Sequence, residues 1–75
     1  MVTKKGDKMK FEQKVKKMYP NLTEEKMETA VDTGIKFARL VKELGSLSFA
    51  ITAWHHRGNR TEERLLVLAD AHFNK

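Results

Sequence analysis

The run Trp54, His55, His56 and Arg57 is the densest group of side chains that could do chemistry. Histidine can shuttle protons or bind a metal, arginine binds phosphate, and an exposed indole can stack on a nucleic-acid base. Neighbouring residues on a helix point about 100° apart, whereas two metal ligands on one helix need a spacing of three or four residues. We therefore predict no metal here and interpret the histidines as residues facing the negative end of a helix dipole.

The other titratable residues match no catalytic motif. The chain has no cysteine, which excludes disulfides, thiolate chemistry and sulfur-based metal sites. No HExxH or GxSxG pattern occurs, and the glycines stand singly rather than in a phosphate-binding loop. A domain of 75 residues buries only about 60% of its unfolded surface, which leaves little core to enclose a reaction pocket. We predict a protein that is not an enzyme and has no cofactor.

Lysines are concentrated in the first quarter of the chain. The formal net charge is +5, and residues 1–19 alone carry seven lysines against two acidic residues, which is also +5. Lys10, Lys14 and Lys17 recur at helical spacing along one predicted face. Such an asymmetry suits a polyanion or an acidic protein surface, and a solvated, solubilising face is the simpler alternative.

Two basic groups together form the predicted binding site. Its residues are Lys8, Lys10, Lys14, Lys17, His55, His56, Arg57, Arg60 and Arg64. The leading hypothesis is a regulatory or accessory protein that binds nucleic acid or a nucleic-acid-processing complex. The alternative is a protein–protein interaction module or inhibitor whose basic amphipathic helix and exposed aromatic residues dock on an acidic partner surface. Trp54 continues an apolar series, so the sequence favours core packing over base stacking for this residue.

Apolar periodicity predicts an all-α fold, a compact bundle of three to four short helices in a single domain at residues 7–75. The expected helices are about 7–19, 24–44, 47–57 and 62–73, after a flexible basic arm at 1–6. Thr23 should cap the second helix, Gly45 should end it, and Ser46 or Ser48 should cap the third. Gly58 should end the third helix, and Thr61 should start the fourth.

The second predicted helix carries the broadest apolar face. We expect helices two, three and four to form the core, with the third as its buried centre and the first docked across them. A helix-turn-helix with its turn at Gly34 is the alternative, but the uninterrupted apolar stripe favours one helix with a closely packed glycine. The broad face also permits a homodimer.

Two segments of the chain are nearly the same, NLTEEKM at 21–27 and NRTEERL at 59–65. Thr-Glu-Glu suits any helix start, since a hydroxyl accepts from free N–H groups and the acids face the positive dipole end. Convergence is therefore the favoured explanation. Duplication is the alternative, because the same offset aligns Phe11 with Phe49.

The sequence predicts no membrane partner, and a membrane-surface helix at 7–19 is a weaker alternative because this segment has few large apolar residues. The longest apolar run, residues 65–69, is far shorter than the roughly 18 residues needed to cross a bilayer. No signal-peptide core follows the basic start, and the absence of cysteine suits a reducing compartment. We therefore expect a cytoplasmic protein.

Overall fold

A computed structural model describes residues 4–74, with side chains from Lys8 onward. It contains the helices α1 (Lys4–Met18), α2 (Glu24–Leu44), α3 (Leu47–His56) and α4 (Glu63–Phe73), and no strand in the described residues. The predicted all-α bundle is therefore confirmed. Because α1 begins at Lys4, residues 4–6 of the predicted arm are helical, and residues 1–3 lie outside the described part. None of the described helices is long and apolar enough to cross a membrane.

Local chemistry sets most of the helix ends. The Thr23 hydroxyl accepts a hydrogen bond from the Lys26 N–H at 3.2 Å, which caps α2 as predicted. Gly45 ends α2 in the left-handed conformation, with φ of 71°, which glycine adopts without steric cost. Of the two candidate serines, Ser46 caps α3 by accepting from the Phe49 N–H at 3.3 Å.

Helix α4 begins differently from the prediction. Glu62 occupies the N-cap position and its side chain makes no cap hydrogen bond. The Thr61 hydroxyl instead accepts from the indole N–H of Trp54 at 3.0 Å. The expectation that Thr61 caps α4 is therefore wrong, because a buried indole donor needs an acceptor more than the solvated helix end does.

Helices α2 and α4 form the centre of the bundle. Gly34 of α2 lies against Ala69 of α4, and the Asn74 amide donates to the Ala38 carbonyl, so the two helices run parallel. The Phe11 ring lies 5.0 Å from that of Phe73, so α1 packs antiparallel to α4. Helix α3 contacts α2 and α4 but not α1 within the described chain. The centre is therefore the α2–α4 pair, with α1 and α3 packed on it separately.

Two apolar clusters follow from this arrangement. The first joins α1, α2 and α4 and consists of Phe11, Val15, Met27, Val31, Leu65 and Ala69. The second joins α2, α3 and α4 and consists of Phe37, Leu40, Val41, Ala50, Trp54 and Leu66. The first helix is thus part of the core and is not docked across the other three, which corrects the expectation.

The third helix is not the buried centre of the molecule. Only Ala50 and Trp54 of α3 are buried, and Phe49 is 70% exposed. An apolar composition on every face suggested complete burial, but a ten-residue helix packed on one side of two longer helices can bury only the side that meets them.

Gly34 lets α1 approach α2 closely. A Cβ atom at this position would lie 2.6 Å from Cε2 of Phe11, a separation that requires the ring to move. Helix α2 continues through Gly34 without a turn. The expected closely packed glycine is therefore confirmed, and a helix-turn-helix at this position is excluded.

Candidate anion-binding end of the bundle

The lysines of α1 lie on two different flanks of the helix. The Lys14 Nζ lies 3.1 Å from Nδ1 of His72, so the flank that carries Lys14 faces α4. Lys10 and Lys17, four residues before and three after Lys14, share this flank. Lys8 lies on the other flank, where it lines a cleft against α2. Lys10, Lys14 and Lys17 thus share one flank, as their spacing predicts, and Lys8 is separated from them by the buried stripe of α1.

The cleft beside Lys8 has a basic rim and an apolar floor. Its volume is about 410 Å³, and it is lined by Lys8, Ile35, Ala38, Arg39, Lys42, Phe73 and Asn74. Lys8 comes from α1, and Arg39 and Lys42 come from successive turns of α2. Among the described residues no acidic side chain lines this cleft, so three cations converge on it, although Lys8 also borders a neighbouring groove with Glu12, Glu28 and Asp32.

The folding of α2 and α4 positions these cations. Burial of Ala38 and Val41 fixes the rotation of α2, which leaves Arg39 and Lys42 at the exposed edge of its buried face. The Asn74 amide donates to the Ala38 carbonyl at 2.9 Å and to Oδ1 of Asp70 at 3.0 Å, which ties the end of α4 to α2. Asp70 lines the adjoining groove, together with Lys42, and its carboxylate is engaged by this amide.

Together with two lysines on the other flank of α1, the cleft forms what we call the basic end of the bundle. It consists of Lys8, Lys10, Lys14, Arg39 and Lys42. Lys8, Arg39 and Lys42 line the cleft, and Lys14 lies beside His72 near the end of α4. Within residues 8–74, the only salt bridge joins Lys36 to Asp32 at 3.1 Å, so none of the five cations is held by a carboxylate of the described side chains. An anion placed there would relieve their mutual repulsion.

The second predicted group lies apart from the basic end. Trp54 is 8% exposed, and its ring meets Phe37 edge to face at 5.6 Å, which confirms core packing for this tryptophan. His55 Nε2 lies 2.9 Å from the Thr61 carbonyl oxygen, so this histidine is engaged in holding the α3–α4 connection. His56 and Arg57 are exposed at the end of the same helix, and in the described chain no contact joins α3 to α1.

The remaining predicted arginines belong to the α3–α4 connection and the start of α4. Arg60 is exposed. Arg64 lies over the Tyr19 ring, with its guanidinium carbon 6.0 Å from the ring centroid. The Tyr19 hydroxyl donates to the Glu62 carboxylate. Burial raises the pKa of Tyr19, the hydrogen bond and negative charge of Glu62 raise it further, and Arg64 opposes them. Tyr19 is therefore committed to a contact within the protein.

The sequence did not single out Arg39 and Lys42. Both stand beside the apolar stripe of α2, which looks like an ordinary solvated edge in sequence. Only the antiparallel packing of α1 on α2 brings Lys8 to the same cleft, and helix periodicity does not contain that information.

Neither a group of metal ligands in the described residues nor a similar known protein indicates the function of this site. Among the described residues, no group of three or more His, Cys, Asp or Glu side chains is placed to hold a metal ion. No protein-family model, curated protein or solved structure matches the chain. The charges and shapes of the described surfaces are therefore the features that indicate a function.

Proposed function

We propose that this protein is a non-catalytic regulatory or accessory factor that binds nucleic acid by its phosphate backbone, alone or within a nucleic-acid-processing complex. The observation that supports the proposal is the convergence of Lys8, Arg39 and Lys42 on one cleft whose described lining contains no acidic side chain. Lys10 and Lys14 extend the positive surface around α1. Several such cations can each neutralise a phosphate and release its counterions, which is the main source of affinity in sequence-independent binding.

The types of residue at the basic end favour contact with phosphates over contact with bases. Four of its five cations are lysines, which act as compact point charges on flexible chains, whereas bidentate contact with guanine favours arginine. Trp54 and Tyr19 are not free to stack on bases, because Trp54 is buried and the Tyr19 hydroxyl donates to the Glu62 carboxylate. Binding should therefore depend strongly on salt and weakly on base sequence.

The test is a titration of labelled duplex DNA, duplex RNA and single strands, followed by fluorescence anisotropy at two salt concentrations. The variant Lys8→Gln, Arg39→Gln, Lys42→Gln should bind duplex DNA at least about tenfold more weakly, because three phosphate contacts are lost. Each duplex contact contributes about 0.9 to the slope of log affinity against log salt, so this slope should fall by about 3.

A matched control removes three cations elsewhere. The variant Lys26→Gln, Arg57→Gln, Arg60→Gln has the same net charge as the first variant but leaves the basic end intact, and its affinity should fall by less than about threefold. Equal weakening of both variants would show that binding depends on total charge alone. No binding of any nucleic acid at the lower salt concentration would overturn the proposal.

A further inference from the structure

A second groove lies along the flank of α1 that faces α4, and we call it the α1–α4 groove. Its volume is about 520 Å³, and it is lined by Met18, Glu63, Arg64, Val67, Leu68 and Ala71. Val67 is 41% exposed, Ala71 is exposed, and Met18 and Leu68 are half-buried. The groove therefore presents a continuous aliphatic floor to solvent.

The shape and chemistry of this floor suit a helix of another protein. Its described lining contains no aromatic ring on which a base could stack, and Arg64 is the one cation in that lining. Along α4 it extends from Arg64 to Ala71, a rise of about 10 Å, which matches two turns of a partner helix. A helix that lies in such a groove anchors itself with apolar side chains three, four and seven residues apart.

The charges around the groove indicate the sign of the charge that a binding partner should carry. Lys14 and Lys17 lie on the flank of α1 beside it, and Arg64 lies on α4, whereas Glu63 is the one acidic residue in its described lining. A second copy of this chain would bring the same cations against one another across a two-fold axis, at a net charge of +5 for each copy. The complementary occupant is therefore an acidic chain.

We propose that the α1–α4 groove binds an acidic amphipathic helix of a partner protein. Aliphatic side chains of that helix contact Val67, Leu68 and Met18, and its carboxylates face Lys17 and Arg64. This surface differs from the cleft of Lys8, Arg39 and Lys42, so the protein could hold nucleic acid and a protein helix together. The cations give attraction and orientation, while the aliphatic floor gives most of the affinity.

The test uses a fluorescein-labelled peptide of about four helical turns, with leucines on one face and glutamates on the others. The wild-type chain should bind it, and the same peptide with lysine in place of glutamate should not bind. The variant Val67→Gln, Ala71→Gln removes exposed apolar surface without changing charge, and it should weaken binding at least about tenfold. Phe49→Gln is the matched control, because Phe49 is an exposed apolar residue on α3, and peptide binding should be unchanged.

NMR of the wild-type chain gives an independent result that does not rely on the folding of a variant. The methyl signals of Val67 and Leu68 should shift on addition of the acidic peptide, while those of Ile51 on α3 should not. Failure of the acidic peptide to bind, equal binding by the double variant, or methyl shifts outside the groove would overturn the proposal. The same double variant should keep its affinity for duplex DNA, so this result and that for the basic end are separable.

Discussion

The segments at 21–27 and 59–65 have nearly the same sequence, but their threonine side chains make different hydrogen bonds. In the first, the Thr23 hydroxyl caps its own helix by accepting from the Lys26 N–H. In the second, the equivalent Thr61 hydroxyl accepts from Trp54 of the preceding helix, and the start of α4 has no side-chain cap. The residue types of a helix-start motif therefore determine which hydrogen bonds are possible. The neighbouring groups in the fold determine which of these bonds forms.

The surroundings of the second segment explain this difference. The α3–α4 connection folds back on the end of α3, where the Asn59 amide donates to the Trp54 carbonyl at 3.2 Å and His55 meets the Thr61 carbonyl at 2.9 Å. These contacts hold Thr61 beside the indole N–H. No buried side-chain nitrogen or oxygen of the described residues lacks a partner, and Thr61 supplies the partner for Trp54. In the first segment, the Thr23 hydroxyl accepts from the Lys26 N–H of its own helix.

A duplicated hairpin would place equivalent residues in equivalent surroundings. The offset between the two segments pairs Phe11 with Phe49, yet Phe11 is fully buried and Phe49 is 70% exposed. Met27 and Leu65 are the buried pair at the last position of each segment. Convergence on a common helix start explains this pattern better than duplication does.

The largest expected effect on stability is at the last position of each segment, where both residues are buried. Met27 is 6% exposed and Leu65 is 7% exposed, and both belong to the cluster that joins α1, α2 and α4. Met27→Ala and Leu65→Ala should each lower the free energy of unfolding by about 3 kcal/mol, because each leaves a cavity in the core. Urea denaturation measures this, and costs that differ by more than about 2 kcal/mol would show that the two sites are not equivalent.

The next effect concerns the threonines, where the two segments differ. Thr61→Val keeps the shape of the side chain but leaves the Trp54 indole N–H without its acceptor, which should cost about 2 kcal/mol. Thr23→Val removes a solvated helix cap and should cost about 1 kcal/mol. The two unfolding midpoints in urea test this order. Tryptophan fluorescence gives a second test, because the emission of Trp54 should change only in the Thr61 variant, and equal emission changes in both would contradict the assignment.

Features that depend on contacts between residues close in the sequence could be predicted from it. Thr23, Gly45 and Ser46 act within one turn of their own helices, so their capping roles follow from residue type and position. The burial of Trp54 also follows from a short-range apolar period. These features defined the number, type and approximate ends of the helices.

Features that depend on contacts between residues distant in the sequence could not be predicted from it. The role of Thr61 depends on how the α3–α4 connection folds back, and the core position of Phe11 depends on the missing Cβ of Gly34. In the same way, Lys8 meets Arg39 and Lys42 only because α1 packs antiparallel on α2. Periodicity gives the face of each helix but not the neighbour that this face meets.

The smallest expected effect concerns the glutamates that follow the two threonines. Glu24 is exposed in the first turn of α2, whereas its counterpart Glu62 accepts from the Tyr19 hydroxyl. Burial and this contact raise the pKa of Tyr19 above its ordinary value of 10.0. The folded chain therefore keeps the phenol proton at a pH where the unfolded chain loses it, and stability should be unchanged below about pH 10 and should fall above it.

Ultraviolet absorbance of the single tyrosine measures this pKa directly. Glu62→Gln should move the pKa of Tyr19 back toward 10.0, because the negative charge beside the phenol is removed while Arg64, which lowers the pKa, remains. Glu24→Gln should leave it unchanged, since Glu24 has no part in the shift, and each substitution should change stability by less than about 0.5 kcal/mol at neutral pH. An unchanged Tyr19 pKa in the Glu62 variant would mean that burial alone raises it. The two glutamates would then be equivalent in their effect on the Tyr19 pKa, whereas a fall in the pKa toward 10.0 would show that the surrounding fold distinguishes them, as it distinguishes the two threonines.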